Sequence, residues 1–183
     1  MPDYYPDTIA TSVTFSRISN NQVFTSPFSK TIQTYGMSAG IWGATIQHEH
    51  LNKTEWQELY GFLVGLRGRA GRFYLKVPQY DESIATGITA TTSGTALTLG
   101  SAVSALNVGN YISMEHRLRM IVGKTSDTIY TIDEPFNSDY LIATAIELNE
   151  PDCLMMLKND ELNMGFTGKY FSDVTVECIE ALV

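Results

Sequence analysis

Cysteine is scarce in this chain of 183 residues: there are two, Cys153 and Cys178, both in the C-terminal part. Two thiols make neither a disulfide framework nor the paired spacing of a zinc site, so both read as reduced, buried filler. Basic residues are few as well. Twelve Lys and Arg stand against twenty Asp and Glu, for a net charge of −8. Such a surface repels phosphates, which argues against a protein that holds nucleic acid by neutralising its backbone. No apolar run reaches the length that crosses a bilayer, so no membrane insertion is expected. The start, MPDYYPDTIA, lacks the positive residues and apolar core of a signal peptide, and the chain reads as one folded in a cytoplasm. Recognisable catalytic groupings are missing too: no nucleophile elbow, no Cys with a partner His, and no phosphate loop in its proper context. No catalytic residue and no cofactor is therefore expected.

What is present favours strands. Hydrophobic residues make up 44%, with ten Tyr, eight Phe and fourteen Gly, a composition that suits strands and the turns between them. One stretch, Leu51 to Val77, reads differently. Trp56, Leu59, Tyr60, Leu63 and Leu66 recur at three- and four-residue spacing and predict one packed helix face, with Glu55, Gln57, Glu58 and Val64 on the other sides. Asn52 with Glu55, or Thr54 with Gln57, offers a capping box at its start. Arg67 and Arg69 sit where the helix dipole favours cations, and Gly68 and Gly71 can close the helix. Phe73, Leu75 and Val77 then alternate as a half-buried strand. The run GLRGRAG is no phosphate cradle, because such loops precede a helix and this one follows it. Arg67, Arg69 and Arg72 form a candidate patch for acidic groups on a partner.

The other strands follow from alternation. Met1 to Pro6 reads as an extended lead-in that orders only against a neighbour. Thr11 to Ser16 alternates, Ser19-Asn20-Asn21 reads as a turn, and Pro27 puts Val23 to Phe28 at an edge or bend. Thr31 to Tyr35 is a strand, Gly36 to Gly40 a turn, and Ile41 to His50 a strand with Trp42, Ala44, Ile46, His48 and His50 on one face. His48 and His50 could share a metal ion, but no third ligand stands at a recognisable spacing, so no metal site is expected. After Pro78 the composition shifts to Thr, Ser and Ala. Short strands meet at Ser93-Gly94 and continue at Tyr111 to Met114, Leu118 to Val122, Thr128 to Ile132 and Leu141 to Leu148, as in a small barrel or sandwich. The closing segment has strand-like Leu154 and Met156, then Val174, Val176 and Cys178 alternating with Thr175, Glu177 and Ile179. The expected organisation is a discontinuous β-sandwich domain from 1–80 and 152–183, with a small β domain inserted between about Asp81 and Pro151. The predicted class is mainly β: a sandwich with one α-helix and an inserted barrel or sandwich unit.

Four segments, Arg17 to Gln47, Glu55 to Leu75, Leu106 to Met114 and Asp173 to Leu182, together resemble the distal tail proteins of tailed bacteriophages. The most specific pieces are GIWGATIQ, Gly40 to Gln47, and W-x-x-L-x-x-F-L-x-x-L-R-G-R, Trp56 to Arg69. The resemblance implies a structural protein without enzymatic activity that self-assembles into a ring, usually hexameric. That ring joins the tail tube protein to the hub and baseplate proteins, with the tape measure protein ending inside it. It further implies a virion tail-tip location after assembly in the bacterial cytoplasm. Candidate contacts between subunits or with partners are Phe28, Trp42, Arg67, Arg69 and Arg72. A different reading is a carbohydrate-binding module whose middle unit meets host sugar through Tyr111, His116 or Tyr130. A hydrolase would need paired acids at a cleft, and Asp133-Glu134 and Asp160-Glu161 read instead as solvated turns.

Overall fold

The computed structural model describes residues 2–6, 10–77, 84–136, 139–161, 166–167, 170–171 and 173–182. The chain is mainly β with one α-helix. In order come β1 (Asp3–Tyr4), β2 (Ser12–Thr25), β3 (Ile32–His48), α1 (Lys53–Gly65), β4 (Phe73–Lys76), β5 (Thr89–Ser93), β6 (Ala96–Leu99) and β7 (Tyr111–Met114). They are followed by β8 (Arg117–Lys124), β9 (Ile129–Ile132), β10 (Thr144–Ala145), β11 (Asp152–Leu157), β12 (Phe166–Thr167), β13 (Tyr170–Phe171) and β14 (Val174–Glu180). One six-stranded sheet runs β1-β4-β11-β14-β3-β2, and a second runs β10-β5-β6-β9-β8-β7.

Alternation places the core of the first sheet. Val174, Val176 and Cys178 of β14, Phe73 and Leu75 of β4, and Trp42, Ala44 and Ile46 of β3 are buried together with Cys153, Met155 and Leu157 of β11. Leu59, Leu63 and Leu66 at α1 join the same cluster, and so does Leu118 of β8. A separate cluster, including Leu97, Leu106, Ile112, Ile121, Tyr130 and Leu148, is drawn wholly from residues 84–148. β8 therefore serves two cores, with Leu118 in one and Ile121 in the other. Val77 N donates to Pro151 O at 2.8 Å, which ties together the strands leading into and out of the second sheet. The boundary expected near Asp81 lies outside the described residues.

The helix starts where its capping box predicts. Asn52 Oδ1 accepts from Thr54 N and Glu55 N at 2.9 and 3.0 Å, and Glu55 Oε2 accepts from Asn52 N at 2.9 Å. Its packed face is the expected one at Trp56, Leu59, Leu63 and Leu66, and differs at Tyr60. Tyr60 is 40% exposed and stacks on Trp56, while Phe62, almost one turn beyond Leu59, meets Tyr5 and Phe73 edge-on. At the far end Arg67 and Gly68 both take the left-handed backbone, with φ of 54° and 68°. A Cβ on Gly71 would lie 2.4 Å from Leu66 O, so only glycine lets the chain fold back against the helix end.

Several local expectations fail for identifiable reasons. The N-terminal segment orders against its own sheet: β1 pairs in parallel with β4, and Tyr5 is buried. Ser19-Asn20-Asn21 and Gly36 to Gly40 are not turns but strand, because each segment pairs with the other across one long hairpin. Between Leu141 and Leu148 only β10 forms, joined by a bridge from Ser113 to Glu147. In β11 the deeply buried side chains are Cys153 and Met155, with Leu154 and Met156 half-buried on the other face.

Candidate assembly surfaces

β2 and β3 pair from Ser12↔Gln47 out to Thr25↔Ile32. Near the body this hairpin is packed, with Trp42, Ala44, Ile46 and His48 buried and Val13, Phe15 and Arg17 half-buried. Beyond Ile18 the register shifts by a bulge between Ile18 and Asn20, and burial stops. From Ser19 to Tyr35 every residue is exposed except half-buried Ser26. The hairpin thus leaves the body as an arm; its outer six residues on one strand, Asn20 to Thr25, extend about 20 Å. Val23, Phe24, Ile32 and Tyr35 are exposed along it, and Phe28 at the tip is 97% exposed. The tip is a closed turn: Ser26 N donates to Thr31 O at 2.9 Å, Lys30 N to Ser26 O at 3.0 Å, and the Ser29 and Thr31 hydroxyls share a hydrogen bond.

The arm's root is fixed by charge. Arg17 Nε lies 3.2 Å from Asp133 Oδ2 and its Nη2 lies 2.8 Å from Glu134 Oε1. Glu134 also accepts from Gly40 N through both oxygens, at 3.1 and 3.0 Å, and the Arg17 guanidinium sits over the Trp42 ring. Asp133 and Glu134 are therefore not a solvated turn; they clamp both strands of the arm to the second sheet. Asp160 likewise is occupied, accepting from Arg69 N at 2.8 Å. Residues 8–48 contain Arg17 and Lys30 but no Asp or Glu, so the rest of the chain carries a formal charge of −10.

At the opposite edge of the first sheet, beside β1, lies an open cleft of about 1080 Å³ between the two sheets. Its centre is Asp152, which is 6% exposed. Asp152 Oδ2 accepts from Tyr4 OH at 3.0 Å and lies 2.7 Å from His116 Nδ1, and Oδ1 accepts from Ser113 Oγ at 3.1 Å. Partial burial and then the Asp152 charge push the Tyr4 phenol up to about 12. His116 is presented by a tight turn in which Glu115 and His116 both have positive φ, 50° and 63°, and its ring lies against Tyr74. Ser113, Asp152 and His116 do not form a nucleophilic relay, because Ser113 donates to the carboxylate and not to the imidazole. The cleft wall also carries Glu115, Glu147 and Glu150, with Lys76 paired to Glu150 at 2.7 Å.

Of the residues expected at contacts, Phe28 stands at the arm tip and Arg67 and Arg69 follow α1, with Arg67 exposed. Trp42 is not a surface anchor. It is 3% exposed, donating from Nε1 to Leu118 O at 3.1 Å and packing edge-on against Tyr111. Arg72 is spent internally, its Nη1 donating to the carbonyls of Arg69, Ala70 and Gly71. The structure separates His48 from His50: His48 is fully buried with Nε2 2.6 Å from Tyr5 OH, and His50 is exposed beyond the strand end. Among the described residues no group of three or more His, Cys, Asp and Glu could hold a metal ion. Of the three residues expected to meet sugar, Tyr130 is 1% exposed with its OH bonded to Val103 O and Tyr111 packs on Trp42, while His116 is half-exposed at the cleft. Sequence reasoning missed Asp152, whose partners lie 36 to 148 residues away and leave no local signal. Neither a family model nor a curated protein matches this chain.

Proposed function

We propose that this chain is a structural protein that assembles with copies of itself into a ring at the tip of a bacteriophage tail. The observation that carries the reading is the arm: a hairpin anchored by an ion-pair clamp that then exposes Val23, Phe24, Phe28, Ile32 and Tyr35 to solvent. Five large apolar side chains on a two-stranded projection lower the free energy of the molecule only when another surface covers them. Its partners in this reading are other copies in a ring of about six, the tail tube protein above, the hub and baseplate proteins below, and the end of the tape measure protein within. The resemblance of GIWGATIQ and of the Trp56 to Arg69 run supplies the tail-tip assignment, and an acidic body suits a conduit that must not retain DNA. Negative-stain microscopy and mass photometry of the purified chain, alone and with tube protein, test the proposal. Closed rings are expected, and a chain that stays monomeric at high concentration in both conditions refutes it.

A further inference from the structure

The arm and the cleft lie at opposite edges of one sheet. The arm is the β2 and β3 edge; the cleft adjoins β1, five strand spacings or about 24 Å away. Their charges are also opposite. The arm has no acid from residue 8 to 48 and carries Lys30 at its tip beside Phe28. The cleft holds Glu115, Glu147, Glu150 and Asp152 against Lys76. Among the described residues lining the cleft, Lys76 is paired to Glu150 and His116 to Asp152, while Glu115 accepts from Tyr140 OH at 2.9 Å and Glu147 from the amides of Asn149 and Glu150, so two exposed carboxylates there have no cation paired with them. Tyr4, 51% exposed, supplies an aromatic wall beside them.

We infer that the cleft around Asp152 is the receptor for the arm tip of a second copy of this chain, with Lys30 entering among Glu115 and Glu147 and Phe28 covering Tyr4. This rests on the self-assembly reading above and adds to it the address of the contact. A donor at one edge and an acceptor at the other form a heterologous, head-to-tail contact, which propagates until a ring closes. An isologous contact would stop at a dimer. The charge pairing gives the association a direction, since arm against arm brings together cations and cleft against cleft brings together acids. It also predicts weakening with salt, because Lys30 and Glu147 are exposed before they meet.

The experiment uses the full chain with Lys30→Glu, Glu147→Lys, and the two combined. Both positions are exposed, so the folded state of each variant is checked by its thermal transition and circular dichroism. Each single reversal is expected to weaken assembly by roughly tenfold or more, and the double reversal to restore it. Mixing the two single variants is the sharper arm. The altered arm of Lys30→Glu then meets the altered cleft of Glu147→Lys with opposite charges, as the unaltered arm and cleft do, so the mixture is expected to regain the higher-order assembly that each variant loses alone. If wild type forms rings and neither reversal changes its assembly, the arm-to-cleft contact is wrong while ring formation stands. If wild type never associates, both fall.

Discussion

The contact that most directly tests how the two sheets are joined is the buried ion pair of Arg119 and Glu180. Arg119 on β8 and Glu180 on β14 have side chains only 4% and 1% exposed, with Nη1 3.6 Å from Oε1. Glu180 Oε2 also accepts from Trp42 N at 3.1 Å, and the guanidinium donates to Leu118 O and Pro135 O while lying over the Phe136 ring. Replacing Arg119 by Met keeps most of the volume but strands a carboxylate in the interior, a change that costs about 3–5 kcal/mol. Set against the roughly 5–15 kcal/mol that hold an ordinary domain together, that is a large loss. For a chain of this size it lowers the melting temperature by on the order of 10 °C. Arg119→Met combined with Glu180→Gln removes the charge altogether and retains an amide oxygen for Trp42 N. Most of the loss is then recovered, leaving a deficit of about 1–2 kcal/mol from the guanidinium's carbonyl bonds. Urea unfolding of wild type, both single variants and the double variant gives the coupling energy directly. The reasoning is refuted if Arg119→Met costs less than about 1 kcal/mol, or if the double variant is as unstable as the worse single one.

Gly61 lies within α1, and a Cβ added there would meet nothing within 4 Å, so Gly61→Ala is expected to stabilise by about 0.5–1 kcal/mol, whereas Gly71→Ala must displace the Leu66 backbone and destabilise by more than that; thermal melts separate the two. Asn52→Ala removes the acceptor for two amides and is expected to cost about 1 kcal/mol in urea unfolding. Burial pushes the Cys178 thiol from 9.0 up to about 12, so the thiol favours the folded state fully below pH 9 and progressively less as pH rises from 9 towards 12. At pH 10.5 this amounts to about 2 kcal/mol, read as a drop in unfolding midpoint that Cys178→Ala reduces; Cys153, also raised by burial, acts in the same direction.

Legibility in the sequence tracked burial. The α1 cap could be read because Asn52 and Glu55 are close in sequence and each satisfies a fixed backbone need. The strands of the first core could be read because Val174, Val176 and Cys178 have one wet and one dry face. The arm could not. From Ser19 to Tyr35 neither face is packed, so there is no period-two signal to set against Ser19-Asn20-Asn21 and Gly36, which look like turns and instead sit opposite each other, with Asn21 paired to Gly36. The helix face could be read at Trp56, Leu59, Leu63 and Leu66 but not in its choice of Tyr60 over Phe62, because both are aromatic and only the positions of Tyr5 and Phe73 decide between them. The cleft was invisible for a different reason. Tyr4, Ser113, His116 and Asp152 come from separate places along the chain, and topology alone brings them together.

The edges of the two sheets bear on assembly independently of charge. An open edge is a template for another strand, and folded proteins shorten, bend or charge such edges. Three of the four are handled that way here. β1 and β10 are two residues long, and the outer side of β7 is bridged by Glu147. The fourth, β2, has no pairing strand on its outer side among the described residues over its fourteen residues, SVTFSRISNNQVFT, which include no proline. Its single charge, Arg17, is turned inward to Asp133 and Glu134 and so guards nothing. The bulge after Ile18 interrupts the regular edge at the arm's root, which limits pairing there and leaves the outer part as an uninterrupted strand. Protection is thus withheld on the same segment where burial is withheld, and a contact with another chain gives both omissions a single physical reason.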